Sequence, residues 1–206
     1  MNAILRQTIT RRLLLAGLPA SLMVRPAWAE DDMVGAAGDI RGKVVARRTE
    51  DVRALAKGAG LRLKDSVETE AESFARLDFS GGTTVHLGSS AKLLIDKFVA
   101  ESGGLLELGE GAMLFDRADE LPKIKLTVRS RFGLIAVRGT KFFAGTSKGA
   151  FAVFVERGSV RVEAAGVPRR LNAGEGCDIP AEGQPPSAKK NWGKARIAEA
   201  YASAGL

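Results

Sequence analysis

Ser73-Phe74-Ala75-Arg76-Leu77-Asp78-Phe79-Ser80-Gly81-Gly82-Thr83-Thr84-Val85-His86-Leu87 is the stretch that decides the fold class of this 206-residue chain. Polar and apolar residues alternate on both sides of a Gly-Gly pair. Successive side chains of a β-strand point to opposite faces, so alternation with period two sets one face of each segment on a core. The inward face is either that of Phe74 or that of Leu77 and Phe79, depending on register.

Working outward, similar short runs separated by glycine fill the body from Gly38 to about Pro180, and only Pro122 and Pro168 interrupt it before its end. Ala91 to Phe98 makes one run. Leu105-Leu106-Glu107-Leu108, Gly109-Glu110-Gly111 and Ala112-Met113-Leu114-Phe115 read as strand, tight turn, strand. Ile124 to Val128 and Leu134 to Val137 continue the series. Thr140 to Ala144 and Ala150 to Val155 flank Thr146-Ser147-Lys148-Gly149, a hairpin signal. Val160 to Ala164 and Arg169 to Leu171 complete it. β-Branched and aromatic residues concentrate in these runs, as strands favour. Short strands at regular spacing with turn residues between them predict an all-β domain. Sandwich, barrel and irregular solenoid all remain compatible with the pattern. Gln184 to Asn191 is polar and reads as a linker. Trp192 to Ala204 reads as a helix with Ala195, Ala198 and Ala202 on the face of Trp192. Its weak apolar stripe predicts packing on the β body or a partner rather than membrane insertion.

Residues 1–29, MNAILRQTITRRLLLAGLPASLMVRPAWA, have the layout of an export signal. Arg6, Arg11 and Arg12 are followed by an apolar stretch from Leu13 to Val24 and the small–x–small trio Ala27-Trp28-Ala29. The stretch is well short of the roughly 20 residues that a membrane-spanning helix needs. Thr10-Arg11-Arg12-Leu13-Leu14 resembles the twin-arginine signal, which is read by a receptor that exports folded proteins. The expected division is a signal peptide at 1–29, an all-β domain at 38–180, and a linker with a C-terminal helix at 181–206. The expected location is the periplasm, with a soluble product and no membrane insertion once the signal is removed.

The signal also changes the charge argument. The chain holds 31 basic and 24 acidic residues, a net +7. Four of the arginines (Arg6, Arg11, Arg12, Arg25) and no acid lie in residues 1–29, so the remainder carries 27 basic against 24 acidic residues, or +3. A mildly basic body with interspersed charges points away from a nucleic-acid partner. Cys177 is the sole cysteine, which rules out an intramolecular disulfide and a cysteine-based zinc site; it reads as a small buried hydrophobe. His86 is the sole histidine and lies mid-strand, too little for a multi-imidazole metal centre. No Gly-x-Ser-x-Gly surrounds a serine. Neither an enzyme nor a cofactor is expected. Trp192 and Tyr201 are the only Trp or Tyr residues beyond the signal, and so the candidate partner contacts.

The most distinctive stretch runs from Lys123 to Phe143, where Val137-Arg138-Gly139-Thr140-Lys141-Phe142 lies between two apolar strands. An arginine at a strand end can clamp backbone carbonyls or a carboxylate through its planar fork. Gly139 permits a turn that a side chain would block, and Thr140 can bond a nearby backbone group. On these residues the chain resembles the FecR domain family, whose signature is Val-Arg-Gly-Thr-x-Phe inside an all-β domain. Residues 39–44 are similar to the family's opening strand. Residues 63–69 are similar to its Leu-x-x-Gly-Asp-x-Ile-x-Thr segment, with Lys64 where glycine is usual. Residues 79–85 are similar to its Phe-x-Asp-Gly-Ser turn, with Gly81 in place of the aspartate. Residues 106–111 and 155–160 resemble two Gly-containing hairpins, and residues 171–175 the closing Leu-x-x-Gly-Glu. The resemblance covers about residues 38–180.

It implies a twisted, solenoid-like or roll-like all-β domain of short strands, without catalysis. In the best-known members this is the periplasmic part of a membrane-anchored anti-sigma regulator of iron uptake. The chain is expected to lack the sigma-binding region, transmembrane helix and C-terminal signalling domain of those members. The expected function is an exported, non-catalytic module for protein interaction, signalling or scaffolding, with another envelope protein as partner. Binding of cell-wall or extracellular polysaccharide is the alternative. Val137, Arg138, Gly139, Thr140 and Phe142 are expected to be structural, with Arg138 stapling two strands.

Overall fold

The computed structural model describes residues 32–206, and the expected signal peptide lies outside them. The chain winds between two nine-stranded sheets. β1 (Met33–Arg41) starts the first sheet, β2 (Val44–Arg48) and β3 (Asp51–Ala54) the second. β4 (Gly60–Arg62) returns to the first and β5 (Ser66–Thr69) to the second. The hairpin of β6 (Phe74–Phe79) and β7 (Thr83–Leu87) joins the first, that of β8 (Lys92–Val99) and β9 (Gly103–Glu110) the second. β10 (Ala112–Arg117) crosses back, and β11 (Lys125–Ser130) with β12 (Gly133–Arg138) crosses again. β13 (Lys141–Ser147) and β14 (Ala150–Arg157) lie in the first sheet, β15 (Ser159–Ala164) and β16 (Val167–Asn172) in the second. β17 (Glu175–Ile179) and β18 (Lys190–Asn191) end the first. The result is an all-β roll of two open sheets. Every pairing is antiparallel except that of β9 with β11.

The alternating stretch resolves its own register. β6 turns Ala75, Leu77 and Phe79 inward, and β7 turns Thr83, Val85 and Leu87 inward. Phe74 faces out. Leu77, Phe115, Phe142 and Val153 of the first sheet share one core with Val67, Ile95, Leu106 and Val162 of the second. Burying each large side chain contributes about 1.5–3 kcal/mol relative to exposure. The expected hairpin at 146–149 is present as a two-residue turn, with Lys148 at φ +53 and Gly149 at φ +79. Positive φ at both positions matches the twist of the flanking strands.

β10, β13 and β14 are buried on both faces. Such strands read as continuous apolar runs rather than alternating ones, as Phe151-Ala152-Val153-Phe154-Val155 does. What covers their outer side is the C-terminal helix α1 (Lys194–Ser203). Leu114, Phe143, Ala152 and Phe154 form a second, smaller core there with Trp192, Ile197, Ala200 and Tyr201. The docked face differs from the expected one: Ala195, Ala198 and Ala202 are exposed. Trp192 precedes the helix, so the inward stripe follows Ile197, Ala200, Tyr201 and Ala204, which meet the aromatic residues of β13 and β14.

The segment expected to be a linker is pinned instead. Pro186 is buried, the Ser187 amide donates to Asp178 O at 2.8 Å, and β18 pairs with β17.

Candidate functional site

The Val-Arg-Gly-Thr-x-Phe stretch is a corner between the sheets. β12 ends at Arg138 in the second sheet and β13 begins at Lys141 in the first. Val137 enters the core from one side and Phe142 from the other, its ring 5.3 Å from that of Phe115. Gly139 adopts φ +59, and a Cβ there would stand 2.8 Å from Lys123 Cγ. A side chain would be strained on both counts. Thr140 is buried; its hydroxyl does not make the expected bond to backbone and has no partner among the described residues, while its carbonyl accepts a hydrogen bond from the Arg117 amide at 3.2 Å. Glu110-Gly111-Ala112 and Arg157-Gly158-Ser159, where the sequence suggested hairpins, are corners of the same kind, with glycine φ of +74 and +81. Each passes the chain to the facing sheet. One core between two sheets requires successive strands to be dealt to both sides, and a single glycine at positive φ does this in the least length.

Arg138 does not make the clamp expected of it. It is exposed, and among the described residues no hydrogen bond or ion pair holds it. The clamp is Arg117, the last residue of β10, only 2% exposed. Its Nε donates to Pro122 O at 2.9 Å, and its Nη1 donates to Gly81 O at 2.6 Å and Thr83 Oγ1 at 2.9 Å. Arg157, the last residue of β14, extends the joint by donating to Arg117 O at 2.7 Å and Asp116 at 2.9 Å. The 81–83 turn, the turn to Pro122 and the Arg157 corner are thereby tied together behind the signature corner.

The other candidate contacts lie under α1. Trp192 is buried, stacked on Phe154 with centroids 4.9 Å apart and covered by the Arg196 guanidinium at 3.8 Å. Arg196 also binds Asp178. Burial opposes the charge on Asp178, but hydrogen bonds from Arg196 and Lys190 hold its carboxyl below the usual range. Tyr201 is half-buried and donates its hydroxyl to Glu156. Burial, then Glu156, pushes the phenol well above its ordinary value.

The family model described as FecR protein matches residues 65–161, from the start of β5 into β15 and across all three corners. The chain carries a FecR domain. Two crystal structures of a candidate anti-sigma factor from Parabacteroides distasonis have the same fold, with TM-scores of 0.51 and 0.52 at 23% identity. The alignments cover 65% of this chain and 62% of theirs, so it spans about six-tenths of the structures it matches. No curated protein matches it.

One remaining residue inside the matched range and one beyond it bear on chemistry. His86 stands between Arg76 of β6 and Leu114 of β10 on the outer face. Burial, then the Arg76 charge, pushes its pKa down. It borders an open cleft of about 610 Å³ with Asp39, Arg41, Arg76 and residues 204–206; no serine lines it. Cys177 faces the main core, where burial, then Asp178, pushes its thiol up to about 11. A thiol so raised is a poor nucleophile at neutral pH. Among the described residues no three His, Cys, Asp or Glu side chains gather as a metal site, and no helix is long and apolar enough to cross a membrane.

Proposed function

We propose that this FecR domain is a non-catalytic signalling module that receives another envelope protein in the periplasm. The fate of its signature carries the reading. Val137, Gly139, Thr140 and Phe142 are consumed in making the corner. Arg138 alone is left outside and without a partner among the described residues. A guanidinium held on a rigid corner suits recognition of a carboxylate on another protein. The export layout of residues 1–29 supports the periplasmic placement. A polysaccharide platform loses its support, because Trp192 is buried and the Tyr201 hydroxyl is taken by Glu156. The raised thiol of Cys177 and the serine-free cleft of His86 favour a non-catalytic role.

Photo-crosslinking tests it. A benzoylphenylalanine at position 138, irradiated in living cells and followed in osmotic-shock fractions, is expected to give one dominant adduct with an envelope protein. No adduct, or the same adduct from position 148 at the opposite end of β13, refutes the reading.

A further inference from the structure

The outer face of the second sheet carries a cluster of cations that few acids in the molecule answer. Residues opposite one another on adjacent strands share a face and lie about 4.8 Å apart across the sheet. Arg138 stands opposite Lys125. Arg170 stands opposite Arg161, and Arg161 opposite Ala136, two residues from Arg138. The same row continues through Thr127 and Leu105 to Lys97. Lys123 adds a sixth cation beside Gly139. All six are exposed. Arg161 has Glu163 at 3.6 Å, and among the described residues the other five have no ion pair. Several cations elsewhere are matched: Lys57 with Asp39, Lys92 with Glu68, Lys189 with Glu175.

We infer that this face docks an acidic, extended segment of a partner protein, an inference that rests on the module reading above. Like charges at this spacing repel one another, and an anionic chain laid across them relieves that repulsion. The row from Arg170 to Lys97 crosses six strands, roughly 24 Å, which is the span of about seven residues of extended peptide. Arginine forks match carboxylates in geometry as well as charge. The face offers no aromatic platform of the kind that stacks bases. The next row holds Glu163, and Arg129 paired with Glu107 at 2.7 Å, so the positive field ends within one residue repeat. A membrane surface would press on the whole face and gain little from so narrow a strip, whereas a single peptide strand fits it.

The test is fluorescence anisotropy of labelled deca-glutamate with the purified protein. The perturbation is a quadruple variant, Lys97→Gln, Lys125→Gln, Arg138→Gln and Arg170→Gln. All four sites are exposed, and a thermal melt confirms that the fold is kept. The variant should bind about tenfold more weakly or worse, and wild-type affinity should fall as salt rises. A control variant with Lys43, Lys57, Lys148 and Lys194 changed to Gln should bind as wild type does. Equal loss in both variants reduces the effect to net charge and overturns the inference. So does stronger competition, per negative charge, by alginate or by phosphatidylglycerol vesicles, which would assign the face to a glycan or a lipid. If position 138 still crosslinks in cells while the quadruple variant binds like wild type, this face falls and the module reading stands. If neither is seen, both fall.

Discussion

Arg117→Ala should destabilise the protein far more than Arg138→Ala, although both arginines end a strand. The Arg117 side chain is 2% exposed and makes three hydrogen bonds, to Pro122 O, Gly81 O and Thr83 Oγ1. A hydrogen bond from a charged donor contributes about 1.5–3 kcal/mol. Truncation also leaves two carbonyls and a hydroxyl facing a space that no side chain fills. Against this, the buried guanidinium no longer has to be held out of water, which relieves several kcal/mol. The net expectation is a loss of about 3–5 kcal/mol, because three charge-assisted bonds and the acceptors left unpaired outweigh that relief. At about 2–4 °C per kcal/mol for a domain of this size, the melting temperature should fall by roughly 6–20 °C. Among the described residues Arg138 has no bond to lose, so Arg138→Ala should stay within about 0.5 kcal/mol of wild type. Thermal and urea unfolding followed by circular dichroism measure both. Equal losses, or a loss below about 1 kcal/mol for Arg117→Ala, would refute the assignment of the clamp.

Trp192→Ala removes the stack on Phe154 and should cost about 3–5 kcal/mol, with faster hydrogen exchange in Lys194–Ser203; unchanged helix exchange would mean that the indole does not anchor α1. Cys177 should resist Ellman's reagent at pH 8 in the native protein and react once per chain in denaturant, and ready native reaction would contradict its burial. The pH prediction concerns His86, whose folded pKa lies below its ordinary 6.5. The unfolded chain therefore binds the proton more readily, and stability should decline as pH falls through the window just below 6.5. His86→Gln should flatten that part of the profile and leave intact the acid limb contributed by Asp178; an identical profile would show that His86 titrates freely.

Much of the secondary structure was legible because alternation is a local property. Residues 73–87 state which side chains go inward, and the only ambiguity, a choice between two faces, was settled by which one met the facing sheet. The continuous apolar runs at 112–115 and 151–155 hold a signal that the sequence reading left unused, burial on both faces, and the structure shows α1 covering them. The helix stripe was misread because Trp192 was counted as part of the helix, whereas it sits before Gly193 and takes its position from Phe154. The three glycine corners looked like hairpins for a similar reason: a glycine marks that the chain turns, but not toward which sheet.

By itself, then, the sequence determined the alternation of short strands, their glycine joints and the signature that places the chain with FecR domains. The tertiary structure alone decided which strand-end arginine became a clamp. Arg117, Arg138 and Arg157 each close a strand and look equivalent locally. Arg117 is covered by the turn to Pro122, five positions on, and by Gly81, brought there from 36 positions away. Arg138 points to the uncovered side of the second sheet. Burial of a charge depends on what long-range packing lays over it, and no local pattern records that.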